Sequence, residues 1–272
     1  MTNIVAVFTC FNRKEKTETC IRSITAANPE CNFQFVVADD KSTDGTQEVL
    51  QSMKSAYDIT VLSGSGALYY SGGMRLALGY VLEHCSADYL LLMNDDVEFL
   101  DGSIQSMVQQ SHQQNEAVIV GVMKDHLGKT SYSAVKYTKG IHYRKLELNE
   151  YAIDADTFNA NCVLIPYDAF VKTGNMDAHY VHSLADFDYG LALKYQGYKI
   201  HVSKECVGIC DNNSSKGTWT DTSLCRRERI KKKESIKGAP TKQWFYFLKK
   251  NFSVFTAFKG CVTPYIRIVI GK

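Results

Sequence analysis

The sequence predicts an α/β protein built on a doubly wound, mostly parallel sheet of the nucleotide-binding type. Short β-prone runs alternate with stretches whose apolar residues recur at helical spacing, and each strand–helix unit takes about 30 residues. Such alternation implies crossover connections, which parallel strands require. With 272 residues, 45% of them hydrophobic, the chain is long enough for one large domain, or for a domain with an appendage.

Individual runs predict the elements in order. Strands are predicted at residues 4–10 (IVAVFTC), 33–40 (FQFVVADD), 59–62 and 89–93 (YLLLM), and helices in RKEKTETCIRSITAA, in KSTDGTQEVLQSM after an opening turn, and in GGMRLALGYVLEHC. Beyond Gly121 the pattern is less regular and indicates further strands and loops. A further helix is predicted within ADFDYGLALKYQGYKIHV, and it ends at Gly197 before another strand.

Polar residues end three of the predicted strands. Residues 9–13 follow the first strand, Asp39 and Asp40 end the second, and residues 94–96 follow the fourth. Buried carboxylates are costly without partners, and ligands of parallel sheets bind beyond the carboxyl ends of the strands. Three such clusters on one edge favour a nucleotide-and-metal site over three separate solvated turns.

The composition of the chain indicates its cellular compartment. The nine cysteines show no C-x-x-C pair, and the N-terminus lacks the pattern of a secretory signal, which together favour a reducing compartment. No run approaches the roughly 18 apolar residues of a membrane-spanning helix. We therefore expect a cytoplasmic protein, free or peripheral on the inner face of the cytoplasmic membrane. Residues 226–250 carry a net charge of +8, and the remainder of the chain carries −6. The two parts are therefore expected to bind different partners.

Four motifs occur in the order and spacing of a known family. VFTCFNR, VVADDKSTDGT, MNDDVEF and ADFDYGLALKYQGYKI resemble the signatures of family 2 glycosyltransferases over residues 3–205. GALYYSGGMRLAL resembles a subgroup of bacterial polysaccharide, O-antigen and capsule transferases. The resemblance implies a GT-A fold, a nucleoside-diphosphate sugar donor and inversion at the anomeric carbon.

The resemblance also implies a donor site. The donor-binding residues it implies are Thr9, Phe11, Asn12, Arg13, Asp39, Asp40, Gly73, Arg75, Asn94 and Asp95. Asp96 is the expected ligand of Mg²⁺ or Mn²⁺, because carboxylate oxygens hold hard cations that neutralise a diphosphate leaving group. Arg75 is predicted at a helix start, where free backbone N–H groups favour phosphate. Asn94 departs from the Asp of many relatives and removes one charge.

The catalytic base is expected on the acceptor side. The family pattern assigns this role to Asp186, which a helix N-terminus would tend to keep ionised. A helix cap for residues 187–196 is the alternative role of Asp186. Asp188 is the second candidate base or an acceptor contact. Trp219 is predicted to close over the donor or stack on a sugar, and simple loop packing is its alternative role. Ala185 replaces a family Glu, and SKECVGICDNNSS lacks the metal-ligating His of many relatives, with Cys210 or Asp211 nearest.

The basic tail is predicted to be a separate extension. Residues 1–225 are expected to form the transferase domain, with a donor half at 1–122 and an acceptor half at 123–225. In residues 226–272 an aromatic face is predicted at Trp244, Phe245, Phe247, Leu248, Phe252 and Phe255, flanked by lysines. This composition favours an anionic membrane surface over nucleic acid. An ordinary packing helix and a homo-oligomer contact are the alternatives.

The predicted function is inverting, metal-dependent transfer of a hexosyl or deoxyhexosyl unit, rhamnose included. The donor is expected to be a UDP- or dTDP-sugar, and the acceptor a glycan or polyprenyl-linked molecule in surface polysaccharide assembly. A non-catalytic nucleotide-sugar or glycan binder is one alternative, which the departures at Asn94 and Ala185 encourage. A nucleotidyltransferase is another, although TCFNRKE lacks the glycines of a triphosphate loop.

Overall fold

The computed structural model describes residues 1–212 and 214–271. Within these residues the chain forms twelve β-strands and nine α-helices. The strands are β1 Thr2–Cys10, β2 Cys31–Asp39, β3 Asp58–Ser63, β4 Tyr89–Met93, β5 Glu98–Phe99, β6 Val118–Lys124, β7 Thr130–Tyr132, β8 Ala134–Lys139, β9 His142–Lys145, β10 Thr157–Phe158, β11 Cys162–Pro166 and β12 Ile200–Ile209. The helices are α1 Lys14–Ala27, α2 Thr46–Met53, α3 Tyr69–His84, α4 Ser103–Gln113, α5 Tyr167–Thr173, α6 Ala185–Tyr195, α7 Arg226–Lys233, α8 Thr241–Asn251 and α9 Val254–Val269.

A mixed sheet of nine strands forms the centre of the molecule. Its order is β3-β2-β1-β4-β11-β6-β12-β5, with β7 paired to β6. The block β3-β2-β1-β4 is entirely parallel, whereas β11 is antiparallel to both of its neighbours and β12 runs parallel to β6. A second sheet of three strands has the order β10-β8-β9. The predicted α/β class with a parallel-dominated sheet is confirmed.

The continuous apolar runs of the strands are explained by cover on both faces of the sheet. In β1, Val5 and Val7 face one buried cluster, while Ile4, Ala6 and Phe8 face the other. The first cluster includes apolar residues of α3, and the second those of α1, α2 and α4. All five residues of β4 are buried, so this strand lies in the middle of the core. Strands covered on both faces show no polar–apolar alternation.

The C-terminal helices belong to the same core, which differs from the predicted separate extension. Phe247 and Leu248 of α8 and Ala257 of α9 are buried in the cluster that holds Val5 and Val7. Lys250 of α8 forms ion pairs of 2.8 Å with Asp177 and 2.7 Å with Asp188. A boundary between residues 225 and 226 therefore does not separate two packing units. Among the described residues, no helix is long and apolar enough to cross a membrane.

Candidate active site

The polar ends of β1, β2 and β4 meet at one edge of the sheet. Arg13, four residues after Thr9 of β1, reaches across this edge to the two carboxylates that follow β4. Its Nη1 donates to Asp95 Oδ1 at 2.9 Å and to Asp96 Oδ2 at 2.8 Å. The parallel pairing of β1 with both β2 and β4 produces this convergence, because parallel strands end on the same side.

Asp95 and Asp96 differ in their environments although they are adjacent. The Asp95 side chain is 5% exposed and that of Asp96 is 21% exposed. Burial raises the pKa of Asp95 to about 6, against the opposite effect of the Arg13 charge. Asp96 thus offers the more accessible carboxylate to a ligand, while Asp95 holds Arg13 in place.

Asp39 and Asp40 organise the loops around the edge. Asp39 Oδ1 accepts hydrogen bonds from Ser42 Oγ at 2.5 Å and from Ser42 N at 3.2 Å. Asp40 accepts from the backbone N–H groups of Gly66, Leu68 and Tyr69 at 2.7, 2.9 and 3.0 Å. Buried carboxylates require such donors. Asp40 lines the cleft described below, and Asp39 lies behind it.

Asn12 also organises these loops rather than lining the cleft. Its backbone has a φ of 52°, and its Oδ1 accepts a hydrogen bond from Thr43 N at 2.7 Å. Its own N–H donates to Ser42 Oγ at 2.9 Å. Asn12 therefore ties the loop after β1 to the loop after β2, while its neighbours Phe11 and Arg13 face the cleft.

Gly73 allows α3 to approach β1 closely. A Cβ added at Gly73 would lie 2.7 Å from Thr9 Cβ and closer still to Thr9 Oγ1. Thr9 Oγ1 itself donates to Ala38 O at 2.9 Å, so it cannot turn away without losing that bond. Gly73 is buried within this contact, and its role is helix–strand packing behind the cleft rather than the predicted donor contact.

We expect Gly73→Ala to lower the free energy of unfolding by about 1–3 kcal/mol, the usual cost of overpacking a core. Gly79→Ala is the matched control on the same helix, because its added Cβ would meet only Asn175 Nδ2, at 3.4 Å. Since alanine favours helix, the control is expected to stabilise by about 0.5–1 kcal/mol. Urea unfolding of both variants measures the difference. Equal effects would contradict the close packing of α3 on β1.

A cleft of about 700 Å³ opens at this edge. On the first side it is lined by Thr9, Phe11, Arg13, Asn94 and Asp95. On the second side it is lined by residues of the β8–β9 hairpin, the start of α6 and the C-terminal segment. The cleft therefore joins the parallel half of the sheet to the later part of the chain.

Asp186 lies in the second side of the cleft, in the first turn of α6. Its Oδ1 accepts a hydrogen bond from Phe187 N at 2.9 Å, and its Oδ2 faces Asn159 Nδ2 at 3.4 Å. Burial raises the pKa of Asp186, which opposes the effect expected from the helix N-terminus alone. Within the described residues, no cation pairs with it.

The capping role considered for Asp186 is not the one observed. The N-cap of α6 is Leu184, whose φ is 76°, and the helix already includes Ala185. Asp186 therefore lies inside the first turn, one residue beyond the first helical position. Ala185, where relatives carry Glu, is 1% exposed and packs in the core.

Aromatic side chains form much of the second side. We call Tyr137, Tyr143, Phe187, Trp244 and Phe252 the aromatic wall; all five line the cleft. The rings of Tyr137 and Phe252 lie 5.1 Å apart and those of Tyr143 and Phe187 5.4 Å apart, each pair edge to face. The β8–β9 hairpin, α6 and the C-terminal helices thus build one continuous apolar surface.

Two buried polar atoms in the cleft have no hydrogen-bond partner within the described residues. They are Tyr70 Oη and His182 Nδ1. Burial raises the pKa of Tyr70, and the nearby charge of Asp186 acts in the same direction. Burial lowers the pKa of His182, because it disfavours the charged form of the ring, and the ring is therefore neutral at physiological pH. Buried polar atoms are normally paired, so water or a ligand in the cleft is expected to supply these partners.

Seven predicted ligand residues do not line the cleft: Asn12, Asp39, Gly73, Arg75, Asp96, Asp188 and Trp219. Asp96 lines a second groove, of which Arg13 is also part. Arg75 lies in the second turn of α3, which begins at Tyr69, and its Nη1 donates to Tyr180 O at 2.5 Å. Asp188 is 3% exposed and accepts from Tyr180, Lys250 and Asn251, so it secures α8 rather than meeting an acceptor. The ring of Trp219 packs against the guanidinium of Arg267 at 5.6 Å. Part of the turn-rich loop predicted around Trp219, residue 213, lies outside the described residues.

Sequence reasoning missed several cleft residues. Asn159 and Asn161 precede β11, whose start lies at the cleft because β11 runs antiparallel to β4. The polar NAN before the apolar run CVLIP was a usable signal, given that topology. Tyr70 and His182 gave no comparable signal. Trp244 and Phe252 belong to the face predicted to meet a membrane, whereas in the structure they line the cleft.

The carboxylates after β4 fit a divalent cation whose remaining ligands are substrate phosphates and water. Within residues 1–212 and 214–271, no cluster of three or more His, Cys, Asp or Glu side chains is arranged to hold a metal ion. Magnesium-type sites commonly use one or two carboxylates together with substrate phosphates and water. Asp96 and Asp95 supply hard oxygens of this kind.

The residues near Asp96 that follow β12 are poor additional ligands. Cys210 offers a sulfur ligand, whereas Mg²⁺ and Mn²⁺ prefer oxygen, and burial raises the pKa of its thiol to about 12. Asp211 is exposed and paired with His126 at 3.0 Å. His126 comes from the turn between β6 and β7, and it lines the second groove together with Asp96. His201 is on β12 and contacts Ile153 O at 3.2 Å.

The fold and the cleft define the class of the protein. A parallel-dominated sheet with carboxylates at its edge, facing a separate wall of later residues, is a GT-A glycosyltransferase architecture. The family model for glycosyl transferase family 2 matches residues 5–174. The chain therefore belongs to glycosyl transferase family 2, and it is a glycosyltransferase.

Solved structures of two glycosyltransferases share the fold. The mannosyltransferase PcManGT from Pyrobaculum calidifontis, in complex with GDP-Man and Mn²⁺, superposes with a TM-score of 0.62 at 10% identity over 99% of this chain and 73% of its own. TarS residues 1–349 from S. aureus, in complex with UDP-GlcNAc, gives 0.59 at 13% identity over 99% and 82% of the two chains. At these identities the likeness shows the fold alone.

Proposed function

We propose that the protein transfers a sugar from a nucleoside-diphosphate donor to a saccharide hydroxyl with inversion, and that Asp186 is the general base. The observation that carries the proposal is the position of Asp186. Its carboxylate is unpaired by any cation of the described residues and shares one cleft with Arg13 and Asp95. A carboxylate without a cationic partner can take a proton from an acceptor hydroxyl, and the Arg13 guanidinium in the same cleft can contact the leaving group.

The donor is proposed to bind along the first side of the cleft. Thr9, Phe11 and Arg13 follow β1 and line it, as do Asn94 and Asp95. The guanidinium of Arg13 is 42% exposed and can contact a phosphate while it remains paired with Asp95. A UDP- or dTDP-sugar is our proposal for the donor; the solved relatives contain GDP-Man and UDP-GlcNAc.

A divalent cation, Mg²⁺ or Mn²⁺, is proposed to be held by Asp96, with Asp95 beside it. When bound, such an ion supplies positive charge that stabilises a diphosphate leaving group. Arg13 bridges both carboxylates, so it keeps the two oxygens aligned and offsets their repulsion. Asn94 lines the cleft next to them and offers a neutral amide to the donor.

The proton transfer is proposed to occur at Asp186. The acceptor hydroxyl loses its proton to the Asp186 carboxylate while its oxygen forms a bond to the anomeric carbon. The bond from that carbon to the diphosphate oxygen breaks, and the electron pair leaves with the diphosphate. Attack from the face opposite the leaving group inverts the configuration. The Phe187 N–H and the Asn159 amide orient the carboxylate.

The acceptor is proposed to be a saccharide held by the aromatic wall. Aromatic side chains offer flat apolar surfaces on which sugar rings can stack, with polar tips at their edges. Sugar hydroxyls would provide the missing partners of Tyr70 Oη and His182 Nδ1. Residues 1–122 thus carry most of the donor site. Residues 123–225, with 226–252, carry most of the acceptor site.

We further propose that the acceptor is lipid-linked and serves surface polysaccharide assembly at an anionic membrane surface. The support is the basic composition of residues 226–250 and their place beside the acceptor side of the cleft. Lys237 and Trp244 from this segment line the cleft itself.

A panel of nucleotide sugars with Mn²⁺, read by thermal unfolding, tests the donor class. A ligand at about 100 times its Kd stabilises a protein by about 2.7 kcal/mol, which a melting curve resolves. We expect one UDP- or dTDP-sugar to raise the Tm and its nucleoside diphosphate to be released on incubation. Stabilisation without any release would favour a non-catalytic binder. The absence of any shift across the panel would contradict the donor class.

A further inference from the structure

One side of α9 is buried and the opposite side is apolar but exposed. Ala257, Gly260, Pro264 and Ile268 are buried against α8 and the core. The exposed side carries Phe255, Phe258, Val262, Ile266 and Val269, of which Phe255 is 80% exposed and Phe258 63%. Both sets recur every three or four residues, so they fall on opposite faces of the helix. Neighbouring exposed apolar side chains of this kind mark a candidate interaction surface.

This stripe differs from the aromatic face that the sequence predicts between Trp244 and Phe255. Phe247 and Leu248 are buried, and Trp244 faces the cleft while its Nε1 donates to Gly260 O at 3.1 Å. Of the predicted face, Phe255 is the residue that stands free on the surface. The sequence pattern of alternating aromatic and basic residues did not distinguish the two helices, because both are amphipathic.

The charges around the stripe are mainly positive, although Glu228 of α7 and Glu234 at its end are also exposed. Neither α8 nor α9 contains an acidic residue. On α9 itself, Lys259 and Arg267 are exposed beside the apolar residues. The neighbouring α7 exposes Arg226, Arg227, Lys231 and Lys232. Its Glu234 end is tied to α9 by a hydrogen bond from Tyr265. An apolar stripe bordered by cations is complementary to an anionic lipid surface.

We propose that α9 lies in the interface of an anionic bilayer, with its exposed stripe among the acyl chains and its cations at the headgroups. The inference names the surface for the membrane association in the proposed function and rests on it for its biological purpose. A second copy is disfavoured as the occupant, because pairing two such faces would bring identical cations together.

The geometry also relates the membrane to the cleft. α8 packs on α9 with one side and lines the cleft with Trp244 and Phe247. Packed helices lie about 8–10 Å apart, so the acceptor side of the cleft stands roughly one helix layer above the bilayer. A saccharide carried on a lipid diphosphate can reach the aromatic wall from there.

Flotation of the full-length protein with vesicles tests the inference. We expect binding to mixed phosphatidylcholine–phosphatidylglycerol vesicles and little binding to phosphatidylcholine alone. Raising the salt to about 1 M, where the screening length falls to about 3 Å, is expected to weaken binding. Phe255→Ser with Ile266→Ser is expected to lower the apparent affinity about tenfold or more, because the apolar face drives insertion.

Leu127→Ser is the matched control. Leu127 is 82% exposed, close to the 80% of Phe255, but it lies on the turn between β6 and β7. We expect it to bind vesicles like the wild type. Equal flotation of the wild type and the double variant would overturn the inference. So would a lipid-free dimer, measured by light scattering, that Phe255→Ser dissociates. The nucleotide-sugar melting assay needs no vesicles, and therefore reports on the proposed function separately.

Discussion

Asp186→Asn is expected to reduce release of the nucleoside diphosphate by roughly 10²–10⁴-fold, the usual contribution of a general base. The amide keeps the shape of the carboxylate and accepts the Phe187 N–H, but it cannot take a proton at physiological pH. Because Asp186 takes no part in the hydrogen bonds that join Arg13 to Asp95 and Asp96, donor affinity is expected to stay near that of the wild type. Calorimetry with the donor and a steady-state rate measurement separate the two effects.

The pH dependence of the rate gives a second readout. A base must be ionised to act, and burial raises the pKa of Asp186. An ordinary aspartate titrates near pH 4. As the pH is lowered, the rate of the wild type is therefore expected to begin to fall at a higher pH than that. The residual rate of Asp186→Asn should lack this acid limb.

Asp168→Asn is the control for Asp186→Asn. Asp168 also lies in a first helical turn and accepts the next N–H, that of Ala169, at 2.7 Å, but it is exposed outside the cleft. Its substitution is expected to leave the rate unchanged. A wild-type rate and pH profile in Asp186→Asn would exclude Asp186 as the base.

Asp96→Ala is expected to abolish the benefit of Mg²⁺ or Mn²⁺ and to reduce transfer by about 10²-fold or more. The reason is that a cation at a diphosphate contributes several kcal/mol to the transition state, and each 1.4 kcal/mol is worth about tenfold. Donor affinity measured by calorimetry should rise with Mn²⁺ in the wild type and not in the variant. Excess EDTA should lower the wild-type rate toward that of the variant.

Glu98→Ala provides the comparison for Asp96→Ala. Glu98 is an exposed carboxylate on β5, two residues farther along, and it lines the second groove together with Asp96, whereas Arg13 pairs with Asp95 and Asp96. Its loss is expected to leave the response to Mn²⁺ intact. Full turnover of the wild type in excess EDTA would show that Arg13 and backbone donors suffice without a cation.

The strand ends could be predicted from the sequence, because local patterns determine them. The apolar runs of β1, β2 and β4, with polar residues at their carboxyl ends, imply parallel pairing and hence one shared edge. Arg13, Asp95 and Asp96 were expected together on that ground, and the structure joins them by hydrogen bonds. This reasoning needs only strand direction.

The second side of the cleft could not be predicted in the same way. Its residues come from a hairpin, from α6 and from α8, which are distant in sequence and packed by contacts that have no periodic signature. Arg75 and Asp188 illustrate the limit, since both are charged residues near motifs, yet both bind other parts of the protein. Arg75 holds Tyr180 O, and Asp188 holds Lys250 and Asn251. A charged side chain near a motif can bind another segment of the protein as well as a ligand.

The parallel block β3-β2-β1-β4 has a consequence for the order of assembly during translation. Its four strands are neighbours in the sheet, and residues 2–93 contain all of them. The aromatic wall is completed only with Phe252. At about 5–20 residues per second, the ribosome makes the intervening residues in roughly ten to thirty seconds. We expect a nascent chain in that interval to present strand ends that can meet a nucleotide sugar, while no surface yet exists to receive the sugar.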